Sequence, residues 1–372
     1  MKFLRLLLVP FAAIVVLAAR LGLPIRFGMI FSNRLGHMAG NMECYLCERE
    51  AGISKGWDFW FHNAEPSNSH LAKMLARVVR IDPTPFTRLC ALVNQLFKGW
   101  EKHAIDTVQV DRDILNLYEN QQPHLYFTRE EIVRGEAGLR ALGIPEGAKW
   151  VYLIVRDSAK HPHLPYHSYR NTDIDTYVQA ASWLANRGYY VLRMGAKVAK
   201  PFKCKHPKVI DFASIEPHDD FMAVYLGAHC VFCLSSGTGP DAIPVIFRRP
   251  VCYVNYVPLE YLQTYNRGSL AIWKHHVKDG KRMTLAEIYA SKCGHFMRAE
   301  QFADAGITLV DNTPEEIAQV AIEMADGGSI AFDVEQDKFW NAFPRGVSEY
   351  NNRPLHGKIN MRIGAEFLKG YQ

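Results

Sequence analysis

The sequence predicts an α/β protein in which two domains with parallel sheets face a cleft, preceded by an N-terminal hydrophobic helix. Short apolar runs rich in β-formers alternate with helical patterns in both halves of the chain, which is the order that parallel βαβ units require. A segment of glycine and proline at residues 143–148 separates the halves. At 372 residues, 48% of them hydrophobic, the chain is long enough for two Rossmann-like domains of ordinary size.

These observations divide the chain into four parts. We assign residues 1–25 to a hydrophobic membrane-associating segment, 26–145 to a first α/β domain, 146–330 to a second α/β domain and 331–372 to a helical tail. We expect the tail to pack back on the first domain.

The first domain begins with a predicted strand at residues 26–31 and a helix at 38–51. A second strand at 57–61 and a second helix at 69–79 follow, so the two strands are expected to be parallel. Residues 83–142 carry aromatic side chains and few strand signals, and we predict that they are largely helical.

The second domain repeats the alternation of strands and helices. Its predicted strands are 150–155, 189–194, 209–212, 230–234, 251–254 and 307–310, and its predicted helices are 173–188 and 221–227. A further helix begins after Asn312, with Thr313 as its cap, Pro314 as its first residue and Glu316 completing a capping box.

The N-terminal segment has the charge pattern of a shallow membrane anchor. Lys2 and Arg5 precede an uncharged run at 6–19, and Arg20 and Arg26 follow it. This run is shorter than the roughly 20 residues that a membrane-spanning helix needs. Basic residues at both ends suit anionic head groups, and we therefore expect a membrane-associated anchor. A cleaved signal peptide and a plain first helix are the alternatives.

The overall charge and the cysteines exclude several classes of protein. A net charge of +5 is compatible with anionic lipid or phosphorylated substrates, but it is too small to indicate nucleic-acid binding. The eight cysteines are scattered, several within apolar runs, as buried reduced thiols are. Cys44 and Cys47 form a CxxC without a second ligand pair, and Asp219 and Asp220 are better explained as helix caps. We therefore expect no metal.

The stretch at 235–241 is the strongest candidate for an anion site. It follows an apolar predicted strand, and it contains small, hydroxyl-bearing and glycine residues before a helix-like segment. Backbone N–H groups at such a helix start, with the positive end of its dipole, stabilise phosphate. The alternative is an ordinary strand-to-helix turn. The residues that we expect to contact a ligand here are Ser235, Ser236, Gly237, Thr238 and Asp241.

Polar residues also follow the first strand of the first domain. Arg34, Gly36 and His37 lie where open α/β sheets present groups to ligands. His37 is a candidate general base because histidine titrates near neutral pH. It could equally cap the following helix or be solvated.

Strand ends in the second domain provide further candidates. Arg156 is suited to bidentate phosphate binding, and Asp157 could orient it or accept a proton. Arg193 and Gly195 end another strand and could meet a diphosphate, and Asn255 could bond a ribose or a base. The alternatives are a local ion pair at Arg156 and Asp157, a strand-edge charge at Arg193 and a turn cap at Asn255.

The polar loop at 161–171 is expected to face the substrate. It carries three histidines, but prolines and aromatics interrupt any zinc-ligand spacing. Its candidate binding residues are Tyr169, Arg170 and Asn171.

Some enzyme classes are disfavoured by missing signatures. The sequence contains no GxxxxGK[ST] phosphate loop, no GxSxG turn and no GxGxxG on a first strand. A P-loop NTPase, an α/β-hydrolase and a dinucleotide-binding protein are therefore not expected.

Several stretches together resemble a bacterial family of glycosyltransferases with the two-domain GT-B architecture. They are Arg34–His37, Val155–Asp157, Ser168–Asn171, Gly188–Gly195, Ser235–Pro240 and Asn312–Ile317. The resemblance implies that the second domain binds a nucleotide diphospho-sugar and that the first receives a polysaccharide or glycolipid acceptor. It places residues 235–238 on the diphosphate with Arg156 or Arg193 neutralising it, and either His37 or Asp157 as the base.

The same resemblance implies an enzyme without a cofactor and a place at the cytoplasmic face of the inner membrane. The stretch at 155–157 is also similar to the HxRxxD segment of fucosyltransferases, but Leu153 stands where the histidine is expected, so the donor stays open. A nucleotide-sugar epimerase or hydrolase of the same fold and a non-enzymatic sugar- or lipid-binding protein are the alternatives.

Overall fold

Two parallel sheets of unequal size organise the protein. The computed structural model describes residues 2–107, 112–159, 164–327 and 332–371, with side chains from Leu7 onward. The elements before residue 145 are α1 (Lys2–Arg20), β1 (Ile25–Ile30), α2 (Leu35–Glu50), β2 (Trp57–His62), α3 (Ser69–Val78), α4 (Phe86–Asn94), β3 (Ala104–Ile105) and α5 (Arg129–Ala141).

The smaller sheet has the order β2-β1-β3, and its pairs are parallel. The predicted βαβ unit is thus confirmed. At Gly28 in β1 a Cβ atom would lie 2.4 Å from the ring of Trp60, so only glycine admits that buried indole. The expectation of a largely helical 83–142 is wrong in part. Much of the stretch between α4 and α5 is irregular, and β3 adds a strand to the sheet.

The larger sheet lies in the second half of the chain. The α-helices and strands of the second half are β4 (Trp150–Ile154), α6 (Val178–Asn186), β5 (Tyr190–Met194), β6 (Val209–Ile210), α7 (Asp220–His229), β7 (Phe232–Ser235), α8 (Ala242–Ile246), β8 (Val251–Tyr256), β9 (Leu270–Trp273), β10 (His275–Lys278), β11 (Lys281–Arg282), α9 (Leu285–Ala290), α10 (Ala299–Asp304), β12 (Ile307–Val310), α11 (Pro314–Ala325), α12 (Val334–Ala342), β13 (Arg362–Ile363) and α13 (Ala365–Lys369).

The larger sheet has the order β13-β9-β8-β7-β4-β5-β6 and is parallel at every pair. Every residue of β4 and of β8 is buried, as expected for strands covered on both faces. The strand predicted at 307–310 does form, but not in this sheet. It pairs with β10 in a small antiparallel sheet of order β11-β10-β12.

The helices of the two halves share one interior. Met38 and Met42 of α2 belong to the same buried cluster as Ile243 and Ile246 of α8. The tail at 332–371 packs on the first half only in part. Lys358 bonds to Asn116 and Glu119, whereas β13 extends the edge of the larger sheet.

Helix α1 packs against the rest of the first half. Ala12, Val16 and Ala19 are buried in a cluster with Cys90 and Val93 of α4. Among the residues that the structure describes, no helix has the length and apolar character needed to cross a bilayer.

Candidate active site

A pocket of about 290 Å³ opens between the two halves at the carboxyl ends of the parallel strands. The loop after β1 contributes Arg34, Gly36 and His37 to its wall. The residues after β4, β5 and β7 contribute the opposite side. This is the edge at which open α/β sheets bind ligands, because loops from several strands converge there.

Three arginines give the pocket its charge. Arg34, Arg156 and Arg170 all line it, and none forms an ion pair with a carboxylate of the described residues. The Nε atoms of Arg156 and Arg170 are buried without a hydrogen-bond partner in the described part of the chain. Burial, Arg170 and Arg34 together lower the pKa of Arg156 to about 10. Unpaired guanidinium groups this close repel one another, and an anion would relieve that repulsion.

The predicted cradle of amides at 235–238 is wrong. The amide of Ser236 donates to the carbonyl of Ile154 at 3.2 Å, and the amide of Gly237 donates to Ser235 Oγ at 3.0 Å. The amide of Thr238 donates to Asp241 Oδ2 at 2.8 Å. These three N–H groups are therefore engaged by protein atoms, and they are not offered to a phosphate.

The same loop instead positions the arginines. Ser236 Oγ accepts the backbone N–H of Arg156 at 2.8 Å, and the carbonyl of Gly237 accepts a hydrogen bond from the guanidinium of Arg170. Gly237 has φ +70°, and a Cβ there would lie 2.8 Å from the ring of Tyr256, so glycine is required. The loop thus holds the backbone of Arg156 and the guanidinium of Arg170.

Ser235 and Asp241 stabilise this loop from the protein interior. Ser235 is fully buried and donates its hydroxyl to Asp241 Oδ2 at 2.8 Å. Burial raises the pKa of Asp241 to about 6, although the hydrogen bonds from Ser235 and Thr238 oppose the rise. Ser235, predicted to contact the ligand, does not line the pocket, whereas Thr238 and Asp241 do.

His37 lies on the wall opposite the second half. Its ring packs edge-on against Phe31 with centroids 5.2 Å apart, and its Nδ1 is buried without a partner among the described residues. Beside it, a Cβ on Gly36 would lie 2.9 Å from the Cα of Gly239. The backbones of the two halves therefore meet at this point and hold His37 at the pocket.

Asp157 lines the pocket, but its carboxylate organises loops. One oxygen accepts the N–H of Ala159 at 2.9 Å, and the other accepts the N–H of Ala199 at 2.8 Å. Both oxygens of Asp157 are thus engaged by backbone donors, whereas His37 Nδ1 has no partner among the described residues. Of the two predicted bases, His37 is therefore the one with a ring nitrogen not engaged by the protein. Gly195, with φ +151°, lines the pocket beside Asp157, as predicted.

Arg193 and Asn255 do not line the pocket, which corrects both predictions. Arg193 is 1% exposed, forms a 3.0 Å ion pair with Asp211 and donates to the carbonyl of Lys200. Asn255 is fully buried and exchanges hydrogen bonds with Asn312. Both side chains therefore serve the interior of the second half.

The loop before α6 holds Arg170 in place. Lys274 donates to the carbonyl of Asn171 at 2.6 Å and pairs with Asp311 at 2.7 Å. Tyr169 is buried and, like Asn171, does not line the pocket. Both were predicted to bind substrate, and both instead flank the arginine that does line it. Residues 160–163, which include the first two histidines of this loop, lie outside the described residues.

His167 and Lys197 also line the pocket and were not among the predicted site residues. Burial and the positive charges of Arg170, Arg156 and Arg34 lower the pKa of His167 to about 4, so it is neutral at physiological pH. His167 lies in the polar loop at 161–171, which was predicted to face the substrate, so the sequence did indicate its region. Lys197 follows Gly195 in the sequence, and only its position after β5 could have indicated it.

No protein-family model and no curated protein matches the chain. Several solved glycosyltransferases are similar to it. The glycosyl transferase family 9 protein of Veillonella parvula shares 10% identity over 62% of this chain and 80% of its own, with a TM-score of 0.40. E. coli heptosyltransferase WaaC, solved with ADP, shares 11% identity over 76% and 99%, with a TM-score of 0.36. A UDP-N-acetylglucosamine 2-epimerase of Listeria monocytogenes shares 10% over 81% and 88%, with a TM-score of 0.30.

A cluster away from the pocket has the composition of a metal site. Glu43, Cys47 and His124 bring three ligand atoms within 4.8 Å of one another. The guanidinium of Arg248 already lies 2.7 Å from Glu43 Oε1 and 3.6 Å from Cys47 Sγ. The positive charge that the carboxylate requires is thus supplied by an arginine from the other half. Cys44 of the CxxC contacts the hydroxyl of Tyr118 instead.

This cluster predicts a pH dependence of stability. Burial lowers the pKa of His124, but Glu43 at 3.1 Å and the charge of Glu50 outweigh burial and raise it above 6.5. A pKa raised by folding stabilises the protein below the unfolded value of about 6.5, and this stabilisation is lost as pH rises through the folded value. We therefore expect the free energy of unfolding in urea to be lower at pH 8.5 than at pH 6 through this histidine.

The matched variant is His124→Gln, which keeps a polar side chain without the charge. Its unfolding free energy should change less between the two pH values than that of the wild type. An identical change in both proteins would contradict the assignment of the pH dependence to His124.

Proposed function

We propose that this protein is a glycosyltransferase that moves a sugar from a nucleotide diphospho-sugar to a glycan or glycolipid acceptor. The observation that carries the proposal is the group of Arg34, Arg156 and Arg170, which line one pocket without carboxylate partners in the described chain. Arg34 is exposed, but the Nε atoms of Arg156 and Arg170 are buried. A cation held partly out of water without a counter-ion is costly, so a site that retains it is suited to an anionic ligand.

The charge fits the leaving group of this reaction. When the bond between the sugar and the diphosphate breaks, negative charge develops on the phosphate oxygens. Guanidinium groups fixed beside those oxygens stabilise the charge without having to reorganise. The guanidinium of Arg170 is held in this way by the carbonyl of Gly237, and Ser236 holds the backbone from which the side chain of Arg156 extends. Arg34 approaches from the other half, so closure of the pocket would add its charge.

In this proposal His37 is the general base. It would take the proton of the acceptor hydroxyl, and the first half would therefore hold the acceptor while the second holds the donor. The arginines supply the positive charge that a divalent cation provides in other transferases. We accordingly propose that neither a metal ion nor a cofactor is needed.

The cysteines support a reducing compartment. None of the eight is in a disulfide in the described chain, and all but Cys204 are buried. Disulfides form in oxidising compartments, and unpaired buried thiols are typical of cytosolic proteins. We therefore propose that the protein works at the cytoplasmic face of the inner membrane, where a polysaccharide or glycolipid acceptor would be reached.

Calorimetric titration with nucleotides tests the proposal. The panel pairs each of ADP, UDP, GDP and dTDP with the monophosphate of the same nucleoside. At least one diphosphate should bind ten times or more tightly than its monophosphate, because the second phosphate meets the arginines. Arg140→Ala removes an exposed arginine of α5, a helix that does not line the pocket, and should leave binding unchanged. Equal affinity for every pair would overturn the proposal.

Product analysis then separates transfer from the alternatives. With the bound donor and a glycan acceptor, the proposal expects sugar on the acceptor. Rapid conversion of the donor without any acceptor would indicate an epimerase or a hydrolase instead.

A further inference from the structure

The pocket, at about 290 Å³, is small for the two substrates that the proposed reaction needs. Sites for drug-sized molecules have volumes of about 300–1,000 Å³, and a nucleotide diphospho-sugar is at least drug-sized. A glycan acceptor must therefore extend beyond the pocket, over the surface next to it. The surface next to His167, which lines the pocket, carries exposed aromatic side chains.

Tyr166 and Arg298 continue the wall of the pocket outward. The rings of Tyr166 and His167 have centroids 4.2 Å apart, and the guanidinium of Arg298 lies 4.8 Å from the centre of the Tyr166 ring. Tyr166 is partly exposed, and the side chain of Arg298 is 59% exposed. Arg298 forms an exposed 3.6 Å ion pair with Glu300, and such pairs contribute little free energy. A ligand could therefore replace Glu300 beside this guanidinium at little cost.

A hairpin of the tail stands on the same side of the molecule, and we call it the tail hairpin (residues 346–355). It is closed by the amide of Leu355, which donates to the carbonyl of Gly346 at 3.1 Å. A Cβ on Gly346 would lie 2.8 Å from His295 Nε2. The base of the hairpin therefore packs on the segment that leads into Arg298.

Tyr350 lies at the turn of the tail hairpin and is 59% exposed. The preceding residue, Glu349, donates its amide to the hydroxyl oxygen of Tyr261 at 3.2 Å. The carbonyl of Tyr261 in turn accepts the hydroxyl of Tyr256 at 2.8 Å, and Tyr256 lines the pocket. The turn is thus tied to the pocket wall.

The electrostatics of Tyr350 agree with this position. Partial burial raises the pKa of Tyr350, and Glu349 and Tyr166 act in the same direction. The charges of Arg298 and Arg170 oppose the rise. Tyr350 therefore lies within reach of a pocket arginine and of the exposed pair outside it. We call Tyr166, Arg298 and Tyr350 the aromatic shelf.

The aromatic shelf offers the contacts that a sugar ring requires. A pyranose has faces made of C–H groups and a rim of hydroxyls. Tyrosine rings bury apolar faces, and their hydroxyls remain free to form hydrogen bonds. A guanidinium presents several N–H donors in one plane, which suits neighbouring hydroxyls on the rim. Tyrosine and arginine are also the side chains that most often dominate the binding energy of an interface.

From these observations we infer that the aromatic shelf binds a pyranose ring of the acceptor glycan outside the pocket. The identity of this ligand rests on the proposed function, which places the attacking hydroxyl of the acceptor at His37. The shelf adds a contact from the second half and the tail to the same acceptor. The tail hairpin thereby takes part in selecting the acceptor, and it takes no part in the transfer step.

Saturation-transfer difference NMR of the full chain tests the inference. The probes are cellohexaose, chitohexaose and hexagalacturonate, three pyranose chains that differ in substituents and charge. At least one should receive saturation from the protein. Tyr166→Ala with Tyr350→Ala should weaken its binding by about tenfold, because two ring contacts are lost. Tyr350→Phe keeps the ring and should retain most of the affinity. Calorimetric titration should show nucleotide affinity within a few fold of the wild type in all these variants.

Tyr126→Ala is the matched control. Tyr126 is 53% exposed and its ring centre lies 5.9 Å from the guanidinium of Arg77, but it does not line the pocket. This variant should bind the oligosaccharide as the wild type does. Tyr350→Ala alone changes an exposed turn, and it probes the shelf if the double variant does not fold, as judged by circular dichroism.

The two proposals fail in different ways. If no oligosaccharide receives saturation while a nucleotide diphosphate binds, the aromatic shelf is refuted and the proposed function stands. If an oligosaccharide binds at the shelf and no nucleotide binds, the shelf is a glycan site and the transferase proposal fails. Equal weakening by Tyr126→Ala and by the shelf variants would also overturn the inference.

Discussion

Replacing Arg156 with methionine is expected to weaken nucleotide diphosphate binding by about 10²–10³-fold and to stabilise the free protein. The loss follows because a charge-assisted contact to phosphate disappears. The gain follows because a partly buried cation without a counter-ion is removed, and an apolar side chain of similar volume stabilises such sites by about 1 kcal/mol. Calorimetric titration measures the first effect, and urea unfolding of the free protein measures the second.

Arg193→Met is the matched control for this experiment. Arg193 is more deeply buried than Arg156, but it is paired with Asp211, so its removal leaves an unpaired carboxylate. We expect a loss of about 3–5 kcal/mol in stability, with little change in the nucleotide affinity of the folded protein. If both variants were destabilised alike, Arg156 would be a structural residue, and the main argument that the pocket binds an anion would fail.

Replacing His37 with glutamine is expected to lower the rate of sugar transfer by about 10²–10⁴-fold, the range that a general base contributes. The affinity for the nucleotide should stay within a few fold, since the three arginines are unchanged. Single-turnover assays at saturating donor separate the chemical step from binding.

His167→Gln serves as the comparison in the same pocket. The pKa of His167 is about 4, so this histidine carries no charge at pH 7 and is surrounded by cations. Its replacement should therefore cost much less rate than the replacement of His37. A larger effect at His167 would exchange the roles of the two residues.

The strands of the parallel sheets were predictable from the sequence because they are continuously apolar. β4 and β8 are covered on both faces, and such strands read as unbroken hydrophobic runs. β10 was missed because it begins with His275 and His276 after Lys274. These residues are buried with polar partners, such as Asp311 for Lys274, and the partners are distant in the sequence. No local pattern shows that a lysine will be buried beside an aspartate that comes much later.

The position of the pocket was predictable from the sequence, but the contacts that its residues make were predictable only in part. The rule that ligands meet strand ends correctly located Arg34, His37 and Arg156 at one pocket. Arg193 also ends a strand, yet it points at Asp211, and its direction depends on a contact that the sequence does not reveal.

The engaged amides of the 235–241 loop could have been anticipated. Thr238 and Asp241 have the spacing of a capping box, the same pattern that correctly predicted the helix start at Thr313 and Glu316. An acid at that position accepts the N–H of the cap residue, as Asp241 accepts that of Thr238. The hydroxyls and glycines of the loop indicated phosphate, and Asp241 indicated the opposite.

The contact between Glu43 and Arg248 has a consequence for protein engineering. The simplest chimaera would exchange the second half as a unit, with the crossover in the linker. Here such a swap near residue 145 would separate an acid in the first half from its arginine in the second, and it would confront Met38 and Met42 with foreign side chains. A functional hybrid would therefore have to transplant α2 together with the segment around Arg248, so the exchangeable module differs from the one that the order of strands suggests.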